Sequence, residues 1–265
     1  SLYGIAAGMA VPILFIPSSL IGSIAVVLAP ELSENFYKNR TERLKADVEK
    51  SLRAAMLIAL ALIPLLFSLG ETVGEVLFSN ELSGEIVQNC CIILLPMCLS
   101  MITNTVLNSM NREKATLGFY FCGAAATLVC IAALTPVIGV YSYVAGLAAS
   151  FVISAALNLR LLKKLCPGMK IWGYFMRGFA ACAMCCAFGR LLMGILQNYM
   201  PAIWSMIVSG VLLAAFGAAT FLLFKMYSFK PAIEWLRARR EKRRHTVKAQ
   251  YSSSTVSGAA EKLQR

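Results

Sequence analysis

The chain has 265 residues, of which 58% are hydrophobic and 14% charged, and its net charge is +12. So apolar a composition excludes an ordinary soluble domain and is typical of a polytopic membrane protein. A net charge of this size is also common in nucleic-acid-binding proteins, but here the cations lie between long apolar segments, so we expect no nucleic acid partner. The nine cysteines lie mostly inside apolar runs, where cysteine packs as a small hydrophobe, and they predict no disulfide framework.

The stretch of residues 10–53 sets the predicted topology. Residues 2–28 (span A) contain no charged side chain and are long enough to cross a hydrocarbon core of about 30 Å. The segment that follows carries six cations: Lys38, Arg40, Arg43, Lys45, Lys50 and Arg53. Because cationic flanks are retained on the cytoplasmic side, we expect span A to run from outside to inside.

Residues 31–50 form a linker in which apolar residues recur at helical spacing between charges. Leu32, Phe36, Leu44 and Val48 belong to this apolar set. The pattern predicts an amphipathic helix that lies along the cytoplasmic surface of the membrane. Its cations are expected to face anionic lipid headgroups, and the four that we single out are Lys38, Arg40, Arg43 and Lys45.

Six further apolar segments complete a predicted bundle of seven transmembrane helices. They cover, in order, residues 52–69, 86–110, 115–135, 141–162, 172–196 and 202–226 (spans B to G). The loop of residues 70–85 contains four glutamates and no Lys or Arg, as expected of an external loop with a short amphipathic helix. The fold class is therefore all-α, with one transmembrane domain over residues 1–230.

The distribution of cations supports this topology. Of the 25 Lys and Arg residues, only Arg190 falls on the predicted outer side. The bias predicts a multi-pass protein of the cytoplasmic membrane, with the N-terminus of this chain outside and its C-terminus in the cytoplasm. Residues 231–265 are predicted to form a basic, partly disordered cytoplasmic tail. Its arginines suit anionic lipids: Arg239, Arg240, Arg243 and Arg244.

The first span begins in apolar sequence, with no charged segment followed by a cleavage site. A span that enters from outside without an export signal usually follows other spans. We therefore expect the chain to be the C-terminal portion of a longer protein.

Polar side chains inside the spans are the candidates for a substrate pathway. Ser18, Ser19 and Ser23 lie near the bend expected from two prolines in span A, and they either support helix packing or line a cavity. Asn104 and Asn108 are four residues apart in span C, so they share a face that meets either another helix or a wet cavity. Arg190 in span F either reaches the membrane interface or contacts an anionic substrate group.

The chain lacks the side chains that intramembrane catalysis needs. It has a single Asp, Asp47, and a single His, His245, and no acidic residue lies in the middle of a span. Three cysteines in span F have no second Cys pair or His nearby, so we expect them to pack and not to bind a metal. A retinal protein is excluded because Lys225 lies at the end of span G and has no carboxylate counter-ion. We expect no enzyme activity, metal or cofactor.

The order of these features resembles a known transporter family. The segments that carry the resemblance are IPSSLIGSIAVVLAPELSE, LLPMCLSMITNTVLNSMNREK and TPVIGVYSYVAGLAASFVISAALNLRLLKK, with a basic linker after the first. They resemble the C-terminal half of polysaccharide-biosynthesis and stage V sporulation protein B-like transporters. These belong to the multidrug/oligosaccharidyl-lipid/polysaccharide flippase superfamily, and the likeness covers about residues 10–165.

The resemblance implies one lobe of a two-lobed carrier that opens alternately to the two sides of the membrane. The implied substrate is a polyprenyl-diphosphate-linked saccharide for cell-wall, peptidoglycan, spore-cortex or surface-polysaccharide assembly. The other lobe is then expected in the same native chain or in a homodimer partner. Two alternatives stay open: a drug or cation antiporter of the same superfamily, and a membrane assembly protein that transports nothing.

Overall fold

The computed structural model describes residues 2–78, 81–139, 141–169, 172–196 and 201–223. The chain divides into two compact units, 1–224 and 225–265, and all the described residues belong to the first. The predicted tail, with Arg239, Arg240, Arg243 and Arg244, therefore lies outside the described residues. Of the residues that are described, 94% are helical and none lies in a strand.

Nine α-helices follow one another in this part of the chain. They are α1 (Leu2–Ile5), α2 (Val11–Tyr37), α3 (Thr41–Phe78), α4 (Glu81–Cys90), α5 (Leu94–Ser109), α6 (Glu113–Ile138), α7 (Tyr141–Leu165), α8 (Trp172–Leu196) and α9 (Ala202–Leu223). A π-helical turn, Ala6–Ala10, joins α1 to α2, and a 3₁₀ turn, Cys91–Ile93, joins α4 to α5. The π turn ends just before Pro12, whose missing N–H and bulky ring disturb the regular ladder of hydrogen bonds.

Within the described ranges, seven helical segments are long and apolar enough to cross a membrane. They match the seven predicted spans in number and order, and the all-α prediction is confirmed. Such a set of helices makes the chain a multi-pass membrane protein.

Helices α3 and α5 form the centre of the bundle. The most apolar window of the α4–α5 span is 67% buried and that of α3 is 44% buried, whereas that of α6 is only 6% buried. Helix α5 packs against α2, α3 and α7, and α3 packs against α4, α8 and α9. Helix α6 packs mainly on α7 at the edge, so most of its surface is left for lipid or for another protein.

The predicted interfacial linker helix is divided between two membrane helices. Residues 31–37 continue α2 and residues 41–50 begin α3, with a turn between them in which Asn39 has a φ of +52°. The Asn35 amide donates to Asp47 Oδ2 across the turn at 2.7 Å. The apolar residues at helical spacing do share a face, but Leu32, Leu44 and Val48 are buried in the bundle and not spread over the lipid surface.

The predicted external loop is largely helical. Helix α3 continues through residues 70–78, and α4 starts at Glu81. The two helices approach closely because Gly74 of α3 faces Gly84 of α4. A Cβ atom on Gly74 would overlap the backbone of Gly84, and one on Gly84 would lie 2.5 Å from the Glu71 carbonyl oxygen. Glu71 is therefore held on a rigid helix end.

One end of the bundle carries nearly all of the described cations. Contacts between helix ends identify it: the Ser33 hydroxyl of α2 donates to the Ser109 carbonyl of α5 at 3.1 Å. The Arg53 guanidinium of α3 lies 4.1 Å from the ring centre of Tyr174, near the start of α8. Every described Lys and Arg except Arg190 lies in a turn or in the part of a helix nearest to this side, which we call the basic end.

Candidate functional site

The serines of α2 lie on or near the face that points away from the bundle. Ser19 and Ser23 are exposed, and Ser18 is half-buried. The Ser19 hydroxyl donates to the Ile16 carbonyl at 2.8 Å, and the Ser23 hydroxyl donates to the Ser19 carbonyl at 2.9 Å. These bonds stay within one helix and satisfy the hydroxyl hydrogens, while each oxygen keeps a free side as an acceptor. The face also carries apolar residues, so it is mixed and not uniformly lipid-like.

Asn104 belongs to a polar seam between α5 and α7. Asn158 of α7 is completely buried, and its amide nitrogen donates to Asn104 Oδ1 at 2.7 Å and to Thr103 Oγ1 at 3.2 Å. One turn further from the basic end, the Ser100 hydroxyl donates to the Ser154 hydroxyl at 3.2 Å. The geometry supports the packing interpretation of Asn104, because its side-chain oxygen already binds another helix.

Asn158 keeps one unpaired polar atom in this seam. Within the described part of the chain, its Oδ1 is buried and accepts no hydrogen bond. A buried carbonyl oxygen without a donor costs free energy, so the seam binds its two helices less strongly than a fully paired one.

Asn108 forms its hydrogen bond with a different helix, α6. It is exposed near the end of α5, and its Oδ1 accepts a hydrogen bond from the Thr116 hydroxyl of α6 at 2.7 Å. The two asparagines share a face of α5 as predicted, but each binds a different partner helix. Asn108 therefore helps to close the α5–α6 turn at the basic end.

Arg190 lies on α8 at the end of the bundle opposite the basic end, and three side chains surround it. Its Nη1 atom is 4.0 Å from Glu71 Oε1, and its guanidinium carbon is 5.3 Å from the ring centre of Phe67. With the Gln88 amide oriented to fit its neighbours, the amide nitrogen donates to Glu71 Oε1 at 2.6 Å and the oxygen accepts from the Arg190 guanidinium. Pairing of this kind lowers the cost of a cation within a span.

A close helix contact places Arg190 in this cluster. The neighbouring Gly189 packs on Ser68 of α3 so tightly that a Cβ atom there would collide with the Ser68 hydroxyl. Helices α3 and α8 therefore come into close contact at Ser68, which lies one turn of α3 before Glu71. The predicted alternatives for Arg190 were the interface or an anionic substrate, and the structure adds a partner from within the chain.

The predicted surface cations gather at the turn between α2 and α3. Lys38 Nζ binds Glu34 Oε1 at 2.6 Å, and Arg40 Nη1 is 3.9 Å from the same oxygen. Arg43 is exposed on the first turn of α3. Lys45 lies beside the turn after α7, close enough that its Nζ would be 3.2 Å from a Cβ atom on Gly168. The basic end is therefore a continuous feature of several turns and not of the linker alone.

The candidate residues do not converge on one site. Ser19 and Ser23 lie on the outer face of α2, Asn104 faces α7, and Arg190 lies at the other end of the bundle. Glu71, Gln88 and Asn158 are the partners that sequence reasoning did not assign to the site. The distance in sequence between Glu71, Gln88 and Arg190 hides their proximity, whereas Asn158 gave one signal, an amide inside an apolar helix.

The described residues contain no group of three His, Cys, Asp or Glu side chains placed to hold a metal ion. All nine cysteines are free thiols, and Cys182 and Cys185 are buried against neighbouring helices. The chain matches no family model, and no curated protein matches it.

Proposed function

We propose that the protein is one lobe of a membrane transporter that moves a polyprenyl-diphosphate-linked saccharide across the cytoplasmic membrane by alternating access. The other lobe comes from the same native chain or from a second copy. The substrate class follows from the sequence resemblance, and the presence of seven helices able to span a membrane supports a lobe of this kind. A saccharide headgroup needs a hydrated cavity between two lobes, while its lipid tail stays among apolar helices.

The observation that carries the proposal is the mixed face of α2. This helix is anchored on α3 and α5 by one side, with Leu14 and Ile21 buried, and the opposite side presents Ser19 and Ser23. A face that only met lipid would gain nothing from hydroxyl groups. A face that lines a cavity uses them as hydrogen-bond acceptors for sugar hydroxyls or water.

The position of the cations at the basic end supports the orientation of the chain proposed for the membrane. Lys38, Arg40 and Arg43 would lie in the cytoplasm, where the diphosphate of an incoming lipid carries negative charge and where anionic lipids are abundant. Arg190 would lie at the outer side with Glu71. The N-terminus of this chain would then be outside.

The test is transport by the native gene product in liposomes. A fluorescent polyprenyl-diphosphate saccharide is incorporated, and an enzyme that cannot cross the membrane removes the sugar from the outer leaflet. With transport, the whole population becomes accessible, whereas without transport about half stays protected. If the protein is correctly folded and the protected fraction of the labelled lipid equals that in protein-free liposomes, the result would contradict the proposal and favour a membrane assembly role.

The α2 face is tested by the double substitution Ser19→Leu and Ser23→Leu, which removes both hydroxyls and narrows a cavity. We expect the transport rate to fall at least tenfold. Cys122→Leu with Ala125→Leu is the matched control, because both residues are small and exposed on the outer helix α6. Equal transport by the two double variants would show that this face of α2 does not line the pathway.

A further inference from the structure

A separate groove lies between α5, α7 and the start of α8. Its volume is about 410 Å³, and its walls are almost entirely apolar. Leu95 and Leu99 of α5 form one wall, Val152 and Ala156 of α7 form the second, and Phe175 of α8 forms the third. Among the described residues that line the groove, Lys163 of α7 is the one with a charge. None of these residues belongs to the candidate pathway on α2.

The groove exists because consecutive helices separate. Helix α7 packs on α5 and α6, whereas α8 packs on α3 and α9. Met169, which follows α7, also lines the groove. Ala155 and Ala156 leave space on α7 where larger side chains would fill the gap.

The dimensions of the groove match one leaflet of a membrane. Val152 and Lys163 mark its two ends on the same helix, and eleven residues of α-helix rise about 16 Å. Half of a hydrocarbon core of about 30 Å is about 15 Å. Lys163 is exposed at the basic end, in the last turn of α7, so the groove runs from the membrane surface towards the midplane.

The arrangement of charge matches an amphipathic anion. An apolar channel one leaflet deep suits a single acyl chain, and a lysine at its mouth suits the phosphate of a headgroup. The next lysine, Lys164, is exposed but does not line the groove. The position of Lys163 is therefore specific to the groove and not only part of a general basic surface.

We propose that this groove binds one anionic phospholipid, with an acyl chain between α5, α7 and α8 and the headgroup phosphate on Lys163. The bound lipid fills the gap between the α5–α7 pair and the start of α8, so it acts as a structural lipid. This site is independent of the proposed transport function.

The test uses the purified full-length protein, stripped of lipid and titrated with dioleoyl phosphatidylglycerol or dioleoyl phosphatidylcholine in native mass spectrometry. The two probes have the same chains and differ in headgroup charge. We expect the first phosphatidylglycerol molecule to bind about fivefold more tightly than the first phosphatidylcholine molecule, because one lysine at the membrane surface contributes about this factor. Lys163→Ala should remove this preference, and Lys164→Ala should keep it.

The groove itself is tested by Ala156→Phe, which fills the channel from an exposed position. We expect it to weaken the binding of the first molecule of both lipids and to leave the melting temperature of the lipid-stripped protein unchanged. If that variant unfolds, Val152→Phe replaces it, since Val152 is 51% exposed and lines the same channel. Two results would overturn the assignment. One is an equal loss of the phosphatidylglycerol preference in the Lys163→Ala and Lys164→Ala variants. The other is tighter binding of a polyprenyl phosphate that displaces phosphatidylglycerol.

Discussion

The side chain of Asn158 is completely buried, and its neighbours show how α5 and α7 recognise each other. It donates two hydrogen bonds across the helix interface, to Asn104 and Thr103. Inside a membrane such bonds add to packing because no water competes for them. The seam therefore fixes the rotation of α7 relative to α5.

Asn158→Leu tests this seam. We expect the free energy of unfolding to fall by about 1–2 kcal/mol, because two interhelical hydrogen bonds are lost. Unfolding of the purified protein by increasing mole fractions of sodium dodecyl sulfate, followed by circular dichroism, measures the change. Asn104→Leu should cost part of the same free energy, and the double variant should cost less than the sum. Additive losses would contradict a shared bond.

Arg190 has a carboxylate partner within the chain, Glu71. It and Glu71 are both more than half exposed, with relative side-chain areas of 53% and 59%. In a double-mutant cycle with Arg190→Ala and Glu71→Gln, we expect a favourable coupling below about 1 kcal/mol. The same detergent titration gives the four stabilities. A coupling of zero would show that the pair adds nothing to stability and would leave Arg190 available for a substrate anion.

At the scale of helices, the central element was predicted in three pieces. The sequence of α3 begins as an amphipathic basic segment and then becomes uniformly apolar. Its last part contains Gly70, Glu71 and Gly74. Each change of composition is typical of a boundary, so residues 31–50, 52–69 and 70–85 were assigned separately. In the structure, residues 41–78 nevertheless form one continuous helix. Helix α3 contacts other helices along its whole length, and α2 and α4 cover its polar ends.

The contact between α3 and α4 depends on glycine. Gly74→Ala places a methyl group against the backbone of Gly84, which has no side chain that can move away. We expect a loss of about 1–3 kcal/mol in unfolding free energy and displacement of Gln88 from Arg190. Gly118→Ala in α6 is the control, since no atom lies within 4 Å of its added Cβ. That change should be neutral or slightly stabilising. Equal effects would show that α3 and α4 are not closely packed.

The candidate site was less predictable than the helices, and the reason is physical. Helical spacing indicates which residues of one helix share a face, and it correctly placed Asn104 and Asn108 together on α5. It contains no information on which helix lies opposite. Pairings such as Asn104 with Asn158, or Arg190 with Glu71, depend on the rotation of each helix in the bundle. The groove beside Lys163 is likewise a gap between helices, which no single segment encodes.

At the scale of the whole molecule, charge distribution is the property that sequence and structure share most closely. The structure brings the cations of three separate turns to one end of the bundle, and each turn contributes its own members: Lys38 and Arg40, Arg112 and Lys114, Lys163 and Lys164. Because the helices alternate in direction, a seven-span bundle places these turns on the same side. Moving so many charges through a membrane is unfavourable, so we expect this end to remain in the cytoplasm.

Cysteine labelling in intact cells tests that orientation. In a variant whose nine cysteines are replaced by serine or alanine, single cysteines are introduced as Val137→Cys and Arg43→Cys. Val137 is 79% exposed near the turn between α6 and α7, and Arg43 is exposed at the basic end. We expect a membrane-impermeant maleimide to label position 137 in intact cells and position 43 only after permeabilisation. The reverse pattern would place the basic end outside, against the charge bias, and would put Lys163 and its groove in the outer leaflet.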